Sequence, residues 1–359
     1  MAGPLPSVDS AGAAAAGAVR AALDPIALER FMAANVAGFA GPLTITQFTG
    51  GQSNPTYRLE TPARLYVLRK KPPGPLLKGA HDVLREARVM RALGLTPVPV
   101  PPVAAVCEDE GIIGSAFFIM HLVEGRIFWD TAFRTVPRDQ RAAYLDAMNA
   151  TIAALHKVDY EAVGLGDFGR PGNYFERQIG RWSKQYLADV DAGRDPNMDA
   201  LVEWLPTAIP PGEETAIVHG DFRCDNLIFH PLEPRVIAVL DWELSTLGHP
   251  LADFAYHCLM YRIPSGIVAG LGDLDPVALG LPSEADYVAA YCRRTGRQGI
   301  PSFDFYAAFN LFRLAAILHG IMGRVVRGNA SSAEARERAG HFPKLAALAR
   351  EAMEACVRA

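Results

Sequence analysis

Three short apolar runs enclose a group of polar residues between positions 215 and 243. The runs at 215–218, 227–229 and 236–240 have the length and composition of β-strands. The polar residues after them therefore lie on the turn between two strands and at a strand end, where side chains converge above a sheet. This stretch predicts one compact set of carboxylate, amide and basic groups, namely Asp221, Arg223, Asn226 and Asp241.

The spacing of these residues meets the needs of phosphoryl transfer, in which one carboxylate orients the acceptor hydroxyl and further oxygen ligands hold Mg²⁺ on the phosphates. Asp221 fits the first role. Asn226 and Asp241 fit the second, since Mg²⁺ usually takes one or two carboxylates together with phosphates and water. Arg223 is either a charge stabiliser for the transferring group or a solvated loop arginine.

The pattern His219-x-Asp221-x4-Asn226 with Asp241 resembles the aminoglycoside phosphotransferase and choline kinase family, distant relatives of the protein kinases. Segments 66–74, 120–126 and 241–254 further resemble the phosphotransferase domains associated with acyl-CoA dehydrogenases. The resemblance covers most of residues 40–330. It implies a bilobal, protein-kinase-like α+β fold, ATP and Mg²⁺ as cofactors, and a small hydroxylated molecule as phosphate acceptor.

The residue pattern changes character near residue 125. Before it, β-type runs at 43–48, 57–60, 64–69, 103–107 and 116–122 accompany one helical segment, 81–93. After it, helical spacing of apolar residues occurs at 138–157, 174–189, 251–261, 284–294, 303–326 and 333–357. We predict a mobile tail at 1–20, a small antiparallel-sheet nucleotide-binding lobe at 21–122, and a larger, mostly helical catalytic and substrate-binding lobe at 123–359.

A glycine-rich connection between two predicted strands contains Gly50, Gly51, Ser53 and Asn54. Glycine lets backbone N–H groups approach an anion closely, so this connection either covers the ATP phosphates or is a simple hairpin turn. The chain lacks the G-x-x-x-x-G-K-[ST] pattern, which disfavours a P-loop fold.

A kinase needs a cation on the α- and β-phosphates, set by an acid on a neighbouring helix. The family pattern favours Arg69, with Lys70 in reserve, because side-chain alternation along the strand does not separate them. Glu86 is the predicted acid. It lies on the apolar side of helix 81–93, where an unpaired carboxylate would be costly to bury.

The resemblance implies roles for two further groups of residues. Met120, His121 and Leu122 correspond to the hinge whose backbone hydrogen-bonds adenine. His219 is predicted to brace the loop of Asp221 by bonding backbone groups. Independently of the resemblance, the position of Asp253 near the start of the helix opened by His249 predicts an interaction with the first N–H groups of that helix.

Composition limits the remaining possibilities. A chain of 359 residues, 50% hydrophobic and 21% charged, can bury a full core and is long enough for two lobes. A net charge of -4 gives no sign of a nucleic-acid or membrane binder. Five scattered cysteines without a C-x-x-C pattern, together with no expected secretory signal, predict a cytoplasmic protein with free thiols. The oligomeric state stays open.

Two other functions compete with the kinase. One is a metal-dependent hydrolase using His219, Asp221, Asp241 and His249, and the other is a catalytically silent kinase-like binding module. Acyl-CoA dehydrogenase activity is not expected, because two kinase lobes already account for the chain. Between positions 302 and 359 basic residues exceed acidic ones. This excess favours a neutral or anionic acceptor, and the resemblance suggests a hydroxyacyl-CoA or hydroxy acid.

Overall fold

The computed structural model describes residues 16–17, 23–48, 54–72, 82–268, 270–328 and 333–358. By packing, the chain divides into two compact units. The first unit comprises Met1–Phe128 and Asp225–Ser245, and the second comprises Trp129–Cys224 and Thr246–Ala359. The sequence analysis predicted a single boundary after residue 122. It did not predict that Asp225–Ser245 belongs to the first unit.

The first unit is built on an antiparallel sheet flanked by helices. Its strands are β1 (Ala16–Gly17), β2 (Thr44–Phe48), β3 (Thr56–Glu60), β4 (Leu65–Lys70), β5 (Val103–Cys107) and β6 (Phe117–His121), in the order β1-β2-β3-β4-β6-β5. Its helices are α1 (Pro25–Asn35) and α2 (Val83–Leu93). The small antiparallel sheet expected from the sequence is confirmed, and helix α1 is an element that the sequence analysis missed.

Strand β4 is central in this sheet, and its two faces have different partners. Tyr66 and Leu68 point into an apolar core that includes Leu28 and Met32 of α1. Val67 and Arg69 alternate with them and line a cavity on the opposite face. Both faces of the strand are therefore covered, which is why alternation of apolar residues could not distinguish them.

A two-stranded hairpin completes the first unit. Strand β8 (Leu227–Phe229) pairs antiparallel with β9 (Val236–Val239), with Leu227 opposite Val239. The amide of Leu240 then donates to the carbonyl of Asn226 over 2.8 Å. This register brings Asn226 and Asp241 to the same end of the hairpin.

The hairpin is attached to the segment that follows β6. Arg126 and Phe229 exchange two backbone hydrogen bonds of 2.8 Å each. At Gly125, a Cβ atom would lie 2.3 Å from the carbonyl oxygen of Phe229 and 2.4 Å from Cγ2 of Ile228. Only glycine permits this approach of the two chain segments.

The second unit is mostly helical. Its helices are α3 (Arg141–His156), α4 (Tyr174–Ala188), α5 (Pro196–Trp204), α6 (Pro250–Cys258), α7 (Ser265–Val268), α8 (Glu284–Thr295), α9 (Phe303–Val326), α10 (Ala333–Gly340) and α11 (Phe342–Arg358). Strands β7 (Ala216–Val218) and β10 (Thr246–Gly248) pair antiparallel. The prediction of one helix over 333–357 is wrong in one respect, because the helix is interrupted at His341 and forms two helices, α10 and α11.

Helix α9 is the core helix of the second unit and packs against α4, α6, α10 and α11. It is also the one described helix that is long and apolar enough to cross a membrane by length and composition alone. Two thirds of its most apolar stretch (67%) is buried within the protein. A buried core helix meets the same length and composition test.

Candidate active site

A cavity of about 430 Å³ lies within the first unit, on the Arg69 face of the sheet. The sheet, helix α2, the segment after β6 and the β8–β9 hairpin all contribute to its walls. Lining residues include Phe48, Thr56, Val67, Arg69, Glu86, Met90, Met120, His121, Leu122, Val123, Glu124, Ile228, Leu240 and Asp241. Most of these residues are apolar, and a few charged side chains, including Arg69, Glu86 and Asp241, lie together among them. This combination is typical of pockets that bind small molecules.

The segment predicted as a hinge lines this cavity, but its first amides are already used. His121 donates its N–H to the carbonyl of Pro102 over 2.9 Å, and Leu122 donates to Leu65 over 3.1 Å. Val123 and Glu124, which also line the cavity, donate their amides to no other residue in the part of the chain that the structure describes. The backbone amides that can meet a ligand edge therefore begin at Val123, directly after the last residue of the predicted hinge centre, Leu122.

Arg69 is the charged centre of the cavity. Its Nη1 lies 3.0 Å from Oε1 of Glu86, and its Nη2 lies 3.2 Å from Oδ1 of Asp241. Oε2 of Glu243 lies 4.0 Å from Nη2. The expected ion pair between the strand cation and the helix acid is present, and it is Arg69 that makes it. Lys70 points to the opposite face and does not line the cavity.

Glu86 is buried, with 2% of its side chain exposed, and its Oε2 has no hydrogen-bond partner among the described residues. Burial raises the pKa of Glu86 to about 7, although the Arg69 charge opposes the shift and the Asp241 and Glu243 charges add to it. Three acids thus surround one guanidinium, which gives this part of the cavity an excess of negative charge.

The residues predicted to bind magnesium fit a hard cation. Asn226 and Asp241 offer oxygen ligands from one end of the hairpin, and the Asp241 side chain is 34% exposed. Asp241 has a φ of 65°, in the left-handed region that Asp and Asn tolerate better than most residues. The acidic surroundings favour a cation as well.

The glycine-rich connection is described only at its end. Gly50, Gly51 and Ser53 lie outside the described residues, so their predicted contact with phosphates stays a prediction. Asn54 is buried, and its Nδ2 donates to Oε2 of Glu243 over 3.4 Å. The end of this connection is therefore held by the acidic group around Arg69.

In the second unit, Asp253 holds the loop that carries Asp221. Its two carboxylate oxygens each accept a backbone N–H over 2.8 Å, from His219 and from Gly220. Burial alone would raise the pKa of Asp253, but the hydrogen bond and charge of His156, 3.2 Å away, together with the His219 amide outweigh it and lower the pKa. The carboxylate is thus an ionised clamp on the loop.

This arrangement confirms one structural prediction and corrects another. His219 braces the loop, because its Nδ1 accepts the amide of Asp221 over 3.2 Å. Asp253 does not cap its own helix. His249 is the N-cap, since its Nδ1 accepts the amide of Leu251, and the Asp253 carboxylate is turned towards the loop instead.

Two side chains that the sequence analysis did not select lie beside Asp221. The hydroxyl of Tyr256 donates to Oδ1 of Asp221 over 2.5 Å, closer than Nε of Arg223 at 3.9 Å. Arg313 lies 5.3 Å from the ring centre of Tyr256 and donates to the carbonyl of Gly220 over 3.1 Å. Arg313 interrupts the apolar pattern of α9, which is the one signal that could have marked it.

Comparison with known proteins identifies the class to which this chain belongs. Residues 44–306 match the sequence model of the phosphotransferase enzyme family, and the chain belongs to that family. A crystal structure of a Ralstonia eutropha protein, assigned provisionally to the aminoglycoside phosphotransferases, is 51% identical with a TM-score of 0.86. The alignment covers 93% of this chain and 99% of that one. The resemblance and the kinase-like α+β fold predicted from the sequence are confirmed.

Two other similarities are informative at different levels. Acyl-CoA dehydrogenase family member 10 of Mus musculus is 46% identical over 311 residues, covering 86% of this chain and 29% of the relative. The chain thus spans less than a third of that protein. A thermostable mutant of aminoglycoside phosphotransferase APH(4)-Ia, in complex with AMP-PNP and hygromycin B, has a TM-score of 0.58 at 16% identity, covering 91% of this chain and 98% of that one. It shares the fold.

Replacing Glu86 with glutamine should flatten the dependence of stability on pH. The folded protein keeps a proton on Glu86 up to a pH of about 7, whereas the ordinary glutamate pKa is 4.5. Between these values the folded state binds more protons, so the free energy of unfolding of the wild type falls as the pH rises. Over this pH range the free energy of unfolding of the wild type should fall, relative to that of Glu86→Gln, by on the order of 1–3 kcal/mol. Chemical denaturation from about pH 4.5 to 8 measures it.

A control distinguishes this effect from a general loss of surface charge. Glu60 lies on β3 of the same sheet, and its side chain is 55% exposed. Glu60→Gln should therefore follow the wild-type pH profile. Parallel profiles for Glu86→Gln and the wild type would show that Glu86 has the same pKa in the folded and unfolded states.

Proposed function

We propose that the protein transfers the γ-phosphoryl group of ATP to a hydroxyl of a small molecule, with Mg²⁺ as the metal. The observation that carries this proposal is the contact of Arg69 with both Glu86 and Asp241 on the wall of the cavity in the first unit. Phosphoryl transfer by kinases requires a strand cation paired with a helix acid and a carboxylate for the metal. Membership of the phosphotransferase family supports the same conclusion.

In this proposal the cavity of the first unit takes the nucleotide. Val67, Met120 and Ile228 offer apolar surface to the base, and the backbone at Val123 and Glu124 offers hydrogen-bonding groups to its edge. Arg69 binds the phosphates, held by Glu86 so that its guanidinium does not need to be ordered on binding. Gly50, Gly51 and Ser53 would cover the phosphates.

Asn226 and Asp241 would hold the metal. When bound, Mg²⁺ neutralises charge on the phosphates during transfer. Asp221 accepts the proton of the acceptor hydroxyl as the new O–P bond forms and the bond to the ADP oxygen breaks. Arg223, on the same loop, stabilises the charge of the transferring group. The transfer is direct, because His219 is occupied with the amide of Asp221 and is no nucleophile.

The acceptor in this proposal is neutral or anionic. The excess of basic residues after position 302 is partly neutralised locally, since Arg327 pairs with Asp189 and Asp191, and Arg350 pairs with Glu354. Arg313 has no carboxylate within ion-pairing distance among the described residues. It belongs to α9 and contacts the loop of Asp221 through the carbonyl of Gly220. A polycation such as an aminoglycoside would be repelled there, whereas a hydroxy acid or hydroxyacyl-CoA would be attracted.

The hydrolase alternative is weaker. Nδ1 of His219 and Nδ1 of His249 each accept a backbone amide, so both nitrogens are already engaged. No group of three or more His, Cys, Asp or Glu residues suited to a metal occurs in the described part of the chain. A silent binding module would retain the fold without the set of Asp221, Asn226 and Asp241, and all three are present.

Replacing Asp241 with asparagine should remove the metal-dependent part of the affinity for ATP. Asparagine keeps the size of the side chain and tolerates the left-handed backbone at this position, which alanine does not. Calorimetry with ATP in the presence and absence of Mg²⁺ measures the effect. We expect the wild type to bind Mg-ATP more tightly than the variant, and the two proteins to differ little without Mg²⁺. An equal loss in both conditions would exclude Asp241 as a metal ligand.

Replacing Asp221 with asparagine should lower turnover about a hundredfold or more while leaving the affinity for Mg-ATP unchanged, since the change removes the proton acceptor but not the nucleotide site. ATP consumption is first screened over hydroxy acids, hydroxyacyl-CoAs, sugars, choline and aminoglycosides. Near-full turnover by Asp221→Asn would remove this residue from catalysis. Label from γ-labelled ATP that stays on the protein and is chased onto the acceptor would contradict direct transfer.

Replacing Arg313 with glutamine should raise the KM for acceptors that carry a carboxylate or phosphate by about tenfold or more. Glutamine keeps a donor for the carbonyl of Gly220, so the loop stays held. The KM for ATP and for uncharged acceptors should not change. Arg324→Gln, an exposed change on the same helix, is the control. Equal effects on charged and uncharged acceptors would remove Arg313 from recognition of the anion.

A further inference from the structure

Tyr256 occupies a special place on helix α6. It lies three residues after Asp253, so both side chains project from the same side of the helix. Asp253 binds the backbone of the loop at His219 and Gly220, and Tyr256 binds the side chain of Asp221. One helical turn therefore holds both the main chain and the functional side chain of the same loop.

The hydrogen bond between Tyr256 and Asp221 has a defined direction. Burial raises the pKa of Tyr256, and the charge of Asp221 raises it further, against the opposing charges of Arg223 and Arg313. The phenol thus stays protonated at every working pH, and its O–H group is the hydrogen-bond donor to the carboxylate. An O–H donor on a carboxylate at 2.5 Å makes a strong, charge-assisted hydrogen bond.

We propose that Tyr256 is a positioning residue that fixes the carboxylate of Asp221 for the acceptor hydroxyl. This inference rests on the proposed function, in which Asp221 accepts the hydroxyl proton. The backbone bonds at His219 and Gly220 fix the main chain of this loop, whereas the Tyr256 bond acts on the side chain of Asp221. A bond of 2.5 Å to Oδ1 restricts rotation of the carboxylate about the Cα–Cβ bond of Asp221, and such restriction favours one orientation towards the acceptor.

Three other groups near Asp221 make contacts of a different kind. Nε of Arg223 lies 3.9 Å from Oδ1, beyond hydrogen-bond distance. His219 contacts the amide of Asp221 and so fixes the main chain. Arg313, on α9, lies over the ring of Tyr256 and contacts the phenol rather than the carboxylate.

Tyr256→Phe tests the proposal, because it removes the hydroxyl and keeps the ring that Arg313 contacts. With an acceptor identified by the screen, kcat should fall about ten- to a hundredfold, the scale of a misplaced catalytic group. The KM values for ATP and acceptor should change less than twofold. A structural role alone would lower thermal stability and change KM and kcat together, without this separation.

The double variant Asp221→Asn/Tyr256→Phe provides the decisive comparison. If Tyr256 acts through Asp221, Tyr256→Phe should cause no further loss in the Asp221→Asn background. The matched control is Tyr186→Phe, which removes a tyrosine–aspartate hydrogen bond of 2.8 Å to Asp199 elsewhere in the second unit. That variant should lose stability and keep kcat.

Two results would overturn the inference while leaving the proposed function in place. One is an active wild type with an unchanged kcat in Tyr256→Phe. The other is an equal further loss of kcat when Tyr256→Phe is added to Asp221→Asn, which would separate the tyrosine from the carboxylate. A wild type that phosphorylates no acceptor and consumes no ATP would overturn the proposed function itself, and with it any role of Tyr256 in positioning.

Discussion

The first unit depends on one buried guanidinium shared by two carboxylates. Arg69 stands on a central strand, Glu86 on helix α2 and Asp241 at the end of the hairpin, so a single side chain joins three elements that are far apart in sequence. Neither Glu86 nor Arg69 would be buried at acceptable cost without the other. The same contact sets the charge of the cavity, which links the stability of the unit to its proposed chemistry.

The second unit solves a different problem, the placement of a flexible loop. The carboxylate of Asp253 accepts two backbone amides of the loop, and His156 forms a hydrogen bond with the same carboxylate and stabilises its charge. A buried carboxylate with this many partners is well satisfied, so it imposes one conformation on the loop. Asp221, predicted from the sequence as a catalytic residue, therefore depends for its position on Asp253, a residue with a structural role.

Much of this could be predicted from the sequence, and the failures have identifiable causes. Local patterns predicted strand β5 and helix α9 with the observed bounds, because their apolar residues follow a clear period. Helices α1 and α5 were missed because their apolar period is weak, although Asp24-Pro25 and Asp195-Pro196 are good helix starts. Tyr256 and Arg313 were missed because only tertiary packing brings α6 and α9 to the loop of Asp221.

The close approach at Gly125 has a consequence for how the molecule can be divided. Residues 225–245 return to the first unit and form one wall of its cavity through Ile228 and Leu240. A fragment that ends at Phe128 would lack this wall and would expose the backbone of Arg126 that normally bonds to Phe229. The first unit is thus discontinuous in the sequence. It could be produced alone only by splicing the hairpin onto it through a new linker.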